Sequence, residues 1–220
     1  SENGVVQEAN PALISGYTGT RIGDRILKQF GLPCYVENDV NCAGMAEYAA
    51  GAAKGSSSML MLTIGTGIGG AFIWDGKLWK GYGNSACEVG RMELGNGSFE
   101  QLAATSVLVL NTAKRLGNAP EEISGKWIFE QAQAGNEICI QEIDRMCDAL
   151  AKGIANLCYV LNPEIVVLGG GISAQKEWLL LRLQKGLERY LLPSILEQTR
   201  LEFAAFGNYA GMMGACCAAM

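Results

Sequence analysis

Residues 60–74, Leu-Met-Leu-Thr-Ile-Gly-Thr-Gly-Ile-Gly-Gly-Ala-Phe-Ile-Trp, constrain the fold of this chain more than any other stretch. Met59 to Ile64 is an apolar run broken only by Thr63, the pattern of a strand buried on both faces. Ala71 to Trp74 is a second apolar run, and Asp75-Gly76 then predicts a tight hairpin turn into Lys77-Leu78-Trp79. Between the runs lies Gly65-Thr-Gly-Ile-Gly-Gly70. Four glycines let the backbone turn sharply and let amides converge without a Cβ in the way. Such a concavity of N–H groups suits an anion, phosphate above all, and Thr66 can add a hydroxyl. Two other readings compete. A Gly-x-Gly-x-x-Gly after a strand can open a dinucleotide-binding βαβ unit, but that needs a helix next, and here a strand-like run follows. A plain hairpin whose glycines only relieve crowding is the other.

The remaining sequence places this hairpin in an α/β chain. Residues 4–6 read as a short strand, Asn10-Pro11 and Ser15-Gly16 as a loop, and residues 21–30 as a helix that Gly31 stops. Residues 33–36 read as a strand running into Glu37-Asn38-Asp39, and residues 41–51 as a helix with Asp39 or Asn41 near its N-cap. An Asn-Asp pair at the carboxyl end of a strand sits where open α/β sheets place ligands; a mere capping aspartate is the bland alternative. Residues 80–92 are glycine-rich and irregular, carrying Glu88 and Arg91, which on the bland reading form a solvated surface pair. Helices follow over 99–116, 124–129 and 137–161, the last ended by Asn162-Pro163. Then come a buried strand at 165–168, a second glycine turn at 169–173, a helix over 175–190 with Lys185-Gly186 as its weak step, a last strand near 201–205, and a small-residue helix from Tyr209 to Met220. Two glycine turns after buried strands suggest one ligand held from two sides.

Composition narrows the chemistry. The 220 residues contain no histidine, which removes Ser-His-Asp and Cys-His catalysis and the commonest transition-metal ligand. Acid–base work falls to carboxylates, lysine or tyrosine. The eight cysteines are scattered, form no Cys-x-x-Cys pair and read as buried free thiols of a cytoplasmic protein. Net charge is −5 with no basic stripe, so no direct nucleic-acid contact is expected. No apolar run reaches membrane-spanning length.

Taken in order, these segments resemble the ROK family (repressors, open reading frames, kinases), which includes sugar kinases of the two-lobed, ribonuclease H-like actin-like ATPase fold. Glu37-Asn-Asp-Val-Asn-Cys-Ala43 resembles the family's catalytic Asn-Asp segment, and Leu62-Thr-Ile-Gly-Thr-Gly-Ile-Gly-Gly70 its second phosphate loop. Asp75-Gly-Lys-Leu78 and Ala86-Cys-Glu-Val-Gly90 resemble its hairpin and sugar loop, and Val166-Val-Leu-Gly-Gly-Gly-Ile172 its adenosine segment. The resemblance implies ATP-dependent phosphorylation of a hexose or β-glucoside hydroxyl, with Mg2+ beside the nucleotide. It implies Asp39 as general base, Asn38, Glu88 and Glu100 on sugar hydroxyls, Gly65, Thr66 and Gly67 on the phosphates, and Gly170 and Gly171 bordering the adenosine. It also implies a homodimer.

The chain departs from the family pattern twice. Arg91 stands where most members carry a histidine, and residues 92–99 lack the cysteines that complete their structural zinc site. No metal site is therefore expected. The pattern is similar to the zinc-less β-glucoside kinase branch, and Arg91 either serves as a sugar donor or turns to solvent. The family's first phosphate loop, Asp-x-Gly-Gly-Thr, has no counterpart. On the family's plan residues 1–36 are then the remnant of an N-terminal lobe, 37–208 a C-terminal lobe, and 209–220 a helix returning to the first lobe. A sugar-sensing regulator of the same family and an inactive sugar-binding fragment are the alternatives.

Overall fold

A computed structural model describes residues 4–7 and 14–218. The Asn10-Pro11 loop signal lies outside the described residues. One five-stranded mixed sheet organises the chain, in the order β3-β2-β1-β4-β5. β1 (Ser58–Ile64), β2 (Ile68–Trp74) and β3 (Lys77–Leu78) form an antiparallel meander. β4 (Ile165–Gly169) pairs with β1 in parallel and β5 (Arg200–Phe203) with β4 in parallel. β1 is thus the central strand, and its alternation explains its apolar sequence. Leu60, Leu62 and Ile64 face one core with Phe72, Val166 and Leu168; Met59 and Met61 face a second with Ala71, Ile73, Ile165 and Val167. A strand between two cores has no polar face to show in its sequence.

The first core is roofed by α3 (Phe99–Ala103), α4 (Thr105–Leu116), α5 (Gly125–Gln133), α6 (Glu137–Leu161) and α7 (Lys176–Tyr190). Of the apolar stripe expected in α6 from Ile138 to Val160, Val160 is 80% exposed, while Ile143, Leu150 and Ile154 are fully buried. Each such side chain contributes about 1.5–3 kcal/mol on leaving water. The Asn136 side chain accepts the N–H groups of Ile138 and Cys139 and so starts the helix; Asn162, in the left-handed region at φ 43°, ends it. The second core is covered by α2 (Asp39–Ala50) and α9 (Ala210–Ala218). These two helices pack closely: a Cβ placed on Gly214 would lie 2.8 Å from the Cα of Cys42 and nearer still to its carbonyl oxygen. The short α8 (Pro193–Leu196) links α7 to β5.

Several sequence expectations need correction. Residues 33–36 form no strand, and residues 4–6 contribute a single bridge, Val5 to Arg21, because no extended neighbour among the described residues completes a ladder for either. α1 (Ile22–Phe30) forms where its period places it and stops at Gly31 in the left-handed region, but it buries none of its residues. The helix read across 99–116 is broken at Ala104, whose ψ of 150° is extended. Ser98 opens α3 with a capping box to Gln101. α4 then restarts so that the Ser106 side chain can donate to the carbonyl of Thr66 at 2.6 Å. The Lys185-Gly186 step does not weaken α7, because Gly186 is buried against Ala151 of α6, where a Cβ would stand only 2.5 Å from the alanine methyl. Here glycine permits a close helix crossing.

The cysteines are all unpaired among the described residues; Cys42, Cys139, Cys147 and Cys158 are buried, whereas Cys216 is exposed. Burial pushes the Cys147 and Cys158 thiols up to about 12. Among the described residues no helix is long and apolar enough to cross a membrane.

Candidate active site

The two glycine turns meet at the carboxyl edge of the parallel strands. Thr63 of β1 pairs with Gly169 of β4, so the chain leaves both strands side by side. Gly170, at φ 85°, lies against the backbone of Ile64, the last residue of β1. The expected convergence of the two turns is present, and it depends on Gly170 having no side chain.

The first turn is tighter than its glycine count suggests. Only Gly65, Thr66 and Gly67 lie outside the strands; the Gly65 N–H donates to the Gly67 carbonyl at 3.0 Å, and Gly69 and Gly70 pair with Thr63 and Leu62. A strand follows, so the dinucleotide-binding βαβ reading is excluded. None of the four glycines has a positive φ. The last two serve close packing: a Cβ on Gly69 would stand 2.5 Å from Val40 at the start of α2, and one on Gly70 would stand 2.8 Å from the Cys87 carbonyl. Gly65 and Gly171 differ, since a Cβ on either would meet nothing within 4 Å. Thr66 is exposed. Ser106 fixes the turn from behind, through its hydroxyl on Thr66 and its N–H on the Gly65 carbonyl at 3.3 Å. No sequence signal marked Ser106.

Asn38, Asp39, Glu88 and Arg91 line one cleft of about 1710 Å³, together with Glu37, Lys80, Tyr17 and Tyr35. Asn38, not Asp39 or Asn41, is the N-cap of α2. Its Oδ1 accepts the N–H groups of Val40 at 2.8 Å and Asn41 at 3.1 Å. This occupies the carbonyl side of the amide and leaves the NH2 side to donate. Asp39 occupies the first helical position, is exposed, and uses Oδ1 on the Val40 N–H at 3.0 Å. Its other oxygen has no hydrogen-bond partner among the described residues. Asn38 is the cap, and Asp39 supports the helix start with only one of its two oxygens.

The loop beyond β3 ends in a 3-10 turn at Val89–Arg91. Arg91 pairs with Glu100 at 3.5 Å, not with Glu88 as the surface-pair reading had it, and its side chain is 78% exposed. The Glu100 side chain is 30% exposed and meets the cleft through Arg91. It packs beneath the glycine turn, with Oε2 2.8 Å from where a Cβ of Gly67 would stand and 3.0 Å from that of Gly90. It joins the turn to the loop that carries Arg91. The five expected nucleotide residues, Gly65, Thr66, Gly67, Gly170 and Gly171, lie at the strand ends and outside the lining of this cleft.

Glu37 is the residue that sequence reasoning passed over. Burial pushes its carboxyl up, but hydrogen bonds from Lys80, Asn41 and the Asn38 N–H, with the charge of Lys80, outweigh this and hold it below the usual carboxylate range. The i, i+4 spacing of Glu37 and Asn41 was the available signal. Among the described residues no group of three or more histidine, cysteine, aspartate or glutamate side chains is placed to hold a metal ion.

The chain is similar to several known proteins. An uncharacterised protein of Clostridium perfringens is 44% identical over 97% of this chain and 72% of its own length. A β-glucoside kinase of Listeria monocytogenes is 33% identical over 84% of this chain and 64% of its own length. In structure, a ROK family glucokinase from Streptomyces griseus, solved in complex with glucose and AMPPNP, superposes with a TM-score of 0.87 at 26% identity, covering 98% of this chain and 76% of the other. The sequence matches the ROK family over residues 2–220, and with the hairpin turn, the Asn38-Asp39 helix start and the second glycine turn in the expected order, the chain belongs to that family.

Proposed function

We propose that this chain is the larger part of an ATP-dependent sugar kinase that transfers a phosphoryl group to a hydroxyl of a hexose or β-glucoside. The observation that carries the reading is the exposed Asp39 carboxylate at the start of α2, with one oxygen unengaged and opening onto the cleft lined by Asn38 and Glu88. A carboxylate so placed accepts the proton of an attacking hydroxyl. The free NH2 of Asn38 donates to a neighbouring sugar oxygen, Glu88 accepts from adjacent hydroxyls, and Arg91 adds donors. Glu100, partly exposed and paired with Arg91, would accept from a further sugar hydroxyl, and it also abuts the glycine turn.

The nucleotide fits the two glycine turns. Gly65 and Gly171 border open space that a Cβ would fill, and the Thr66 hydroxyl and the Thr66 and Gly67 amides have no hydrogen-bond partner among the described residues. These groups would hold the phosphates, and Gly170 and Gly171 would border the adenosine. ATP supplies the phosphoryl group, and Mg2+ is carried chiefly on its phosphates. Phosphoryl transfer depends on positioning and charge stabilisation more than on covalent chemistry, which suits a site without histidine. We also propose the lobe division expected from the sequence, a homodimer, and a cytoplasmic setting for the unpaired thiols.

The test is Asp39→Asn. Loss of a general base costs about 10²–10⁴-fold in turnover. The expected result is that loss in sugar-dependent ADP release, with sugar affinity by calorimetry retained. Weakened sugar binding at unchanged turnover overturns the role. Sugar binding without turnover in the parent chain favours the sensing regulator or the inactive fragment.

A further inference from the structure

Glu37 and Lys80 hold none of the roles assigned above, yet they connect the two halves of the cleft. Lys80 Nζ lies 2.6 Å from Glu37 Oε2. The other carboxylate oxygen, Oε1, accepts the Asn38 N–H at 2.9 Å and the Asn41 side-chain amide at 2.9 Å. Glu37 thus grips the turn that presents Asn38 and Asp39. Lys80 grips the opposite loop: its carbonyl accepts the Ala86 N–H at 3.2 Å and closes residues 80–86 just before Glu88. It is the only charged residue between Leu78 and Glu88. The Lys80 side chain is 42% exposed and that of Glu37 15%. An ion pair with its lysine end this open to water adds only modestly to global stability. What it fixes is a distance between two loops.

We propose that the Glu37–Lys80 pair is a positioning brace that sets the segment carrying Asn38 and Asp39 in register with the loop carrying Glu88 and Arg91. The inference rests on the kinase reading for its consequence, and on the hydrogen-bond geometry alone for its existence. A sugar held by Glu88 and Arg91 meets the Asp39 carboxylate only if the two loops keep their separation. Displacement of a reacting group by about 1 Å costs on the order of 100-fold in rate. Loss of the brace therefore leaves the sugar contacts present and misaligns them.

The experiment compares Lys80→Met, Lys80→Arg, Glu37→Gln and the Lys80→Met/Glu37→Gln pair in the full chain. Lys80→Met should lower kcat by about 10–100-fold while the sugar KM stays within about threefold, the signature of lost alignment. Lys80→Arg, which keeps the charge and the reach, should restore most of kcat. The double variant should be no slower than Lys80→Met alone, because one interaction cannot be lost twice. An unchanged kcat in Lys80→Met overturns the brace, and so does a raised sugar KM at unchanged kcat, which would make Lys80 a plain binding contact. A second readout needs no turnover. The Glu37 carboxyl, followed by carbon NMR, should titrate below the ordinary range in the parent chain and move up in Lys80→Met, with faster amide exchange at residues 38–41. If neither moves, the brace is overturned whatever the activity. If both move in a chain that turns over no sugar, the brace stands and the kinase reading is what fails.

Discussion

Gly170→Ala tests whether the two glycine turns are held together as described. Gly170 has φ 85° and ψ −173°, a region that only glycine occupies at low cost. Forcing alanine into it costs about 1–3 kcal/mol. The new Cβ would also stand 2.9 Å from the Ile64 nitrogen and closer to the Ile64 carbonyl oxygen, and these are backbone atoms of a central strand that cannot swing aside. Overpacking of this kind adds about 1–3 kcal/mol. The sum, about 2–6 kcal/mol, is a large part of the 5–15 kcal/mol that holds an ordinary domain folded. With a urea slope of about 2–3 kcal/mol/M, the midpoint should fall by roughly 0.7–3 M. Gly171→Ala is the control for stability, since its φ is not positive and a Cβ there meets nothing within 4 Å. Its midpoint should stay within a few tenths molar of the parent. Equal midpoints for the two variants would refute the claim that Gly170 lets β4 exit against Ile64.

Three further outcomes follow from particular side chains. Glu47, fully buried, accepts the N–H groups of Ala52 and Phe206 at 2.9 Å each, so Glu47→Ala strands two backbone donors and should cost about 2–5 kcal/mol in urea unfolding; a loss below about 1 kcal/mol would refute the bonds. Because the folded Glu37 carboxyl is held below its unfolded value, its contribution is present above that unfolded value and is lost as pH falls through the folded one; the stability gap between parent and Glu37→Gln should therefore close in acid and stay constant at neutral pH. Cys147 and Cys158, with thiols raised to about 12 by burial, should resist a disulfide reagent at pH 8 until the protein unfolds, while exposed Cys216 reacts in the native state; native labelling of Cys147 would contradict its burial.

The sequence was most legible where local chemistry and tertiary packing ask for the same thing. Most of the α6 stripe and its Asn162-Pro163 stop, the Asp75-Gly76 turn and the apolar β1 and β4 fall where their patterns put them. It was least legible where a contact from far along the chain decides the outcome. Nothing local to Ala104 breaks a helix; the break serves Ser106, whose partner Thr66 comes from another element. Gly69, Gly70 and Gly186 look like loop or weak-helix residues until Val40, Cys87 and Ala151 are brought against them. In the candidate site, the residue types and their order were readable because chemistry fixes them. The division of labour was not: that Asn38 would take the cap, and that Arg91 would turn to Glu100, depends on which neighbours arrive.

The contact between α2 and α9 bears on the order in which this molecule comes together. α2 ends at Ala50 and α9 begins at Ala210, with the whole sheet and its helical roof between them in sequence. Local hairpins, the α6–α7 crossing and the seating of α2 on the neighbouring β1 and β2 can close early, whereas α9 reaches α2 only when two distant parts of the polypeptide meet, a slow step in any folding reaction. The cover that α9 gives to α2 is therefore expected to form last. By the same logic it is the part that opens most readily in the native protein, and a protease probing the folded chain should cut first in the connections flanking α2 and α9 while the sheet stays whole.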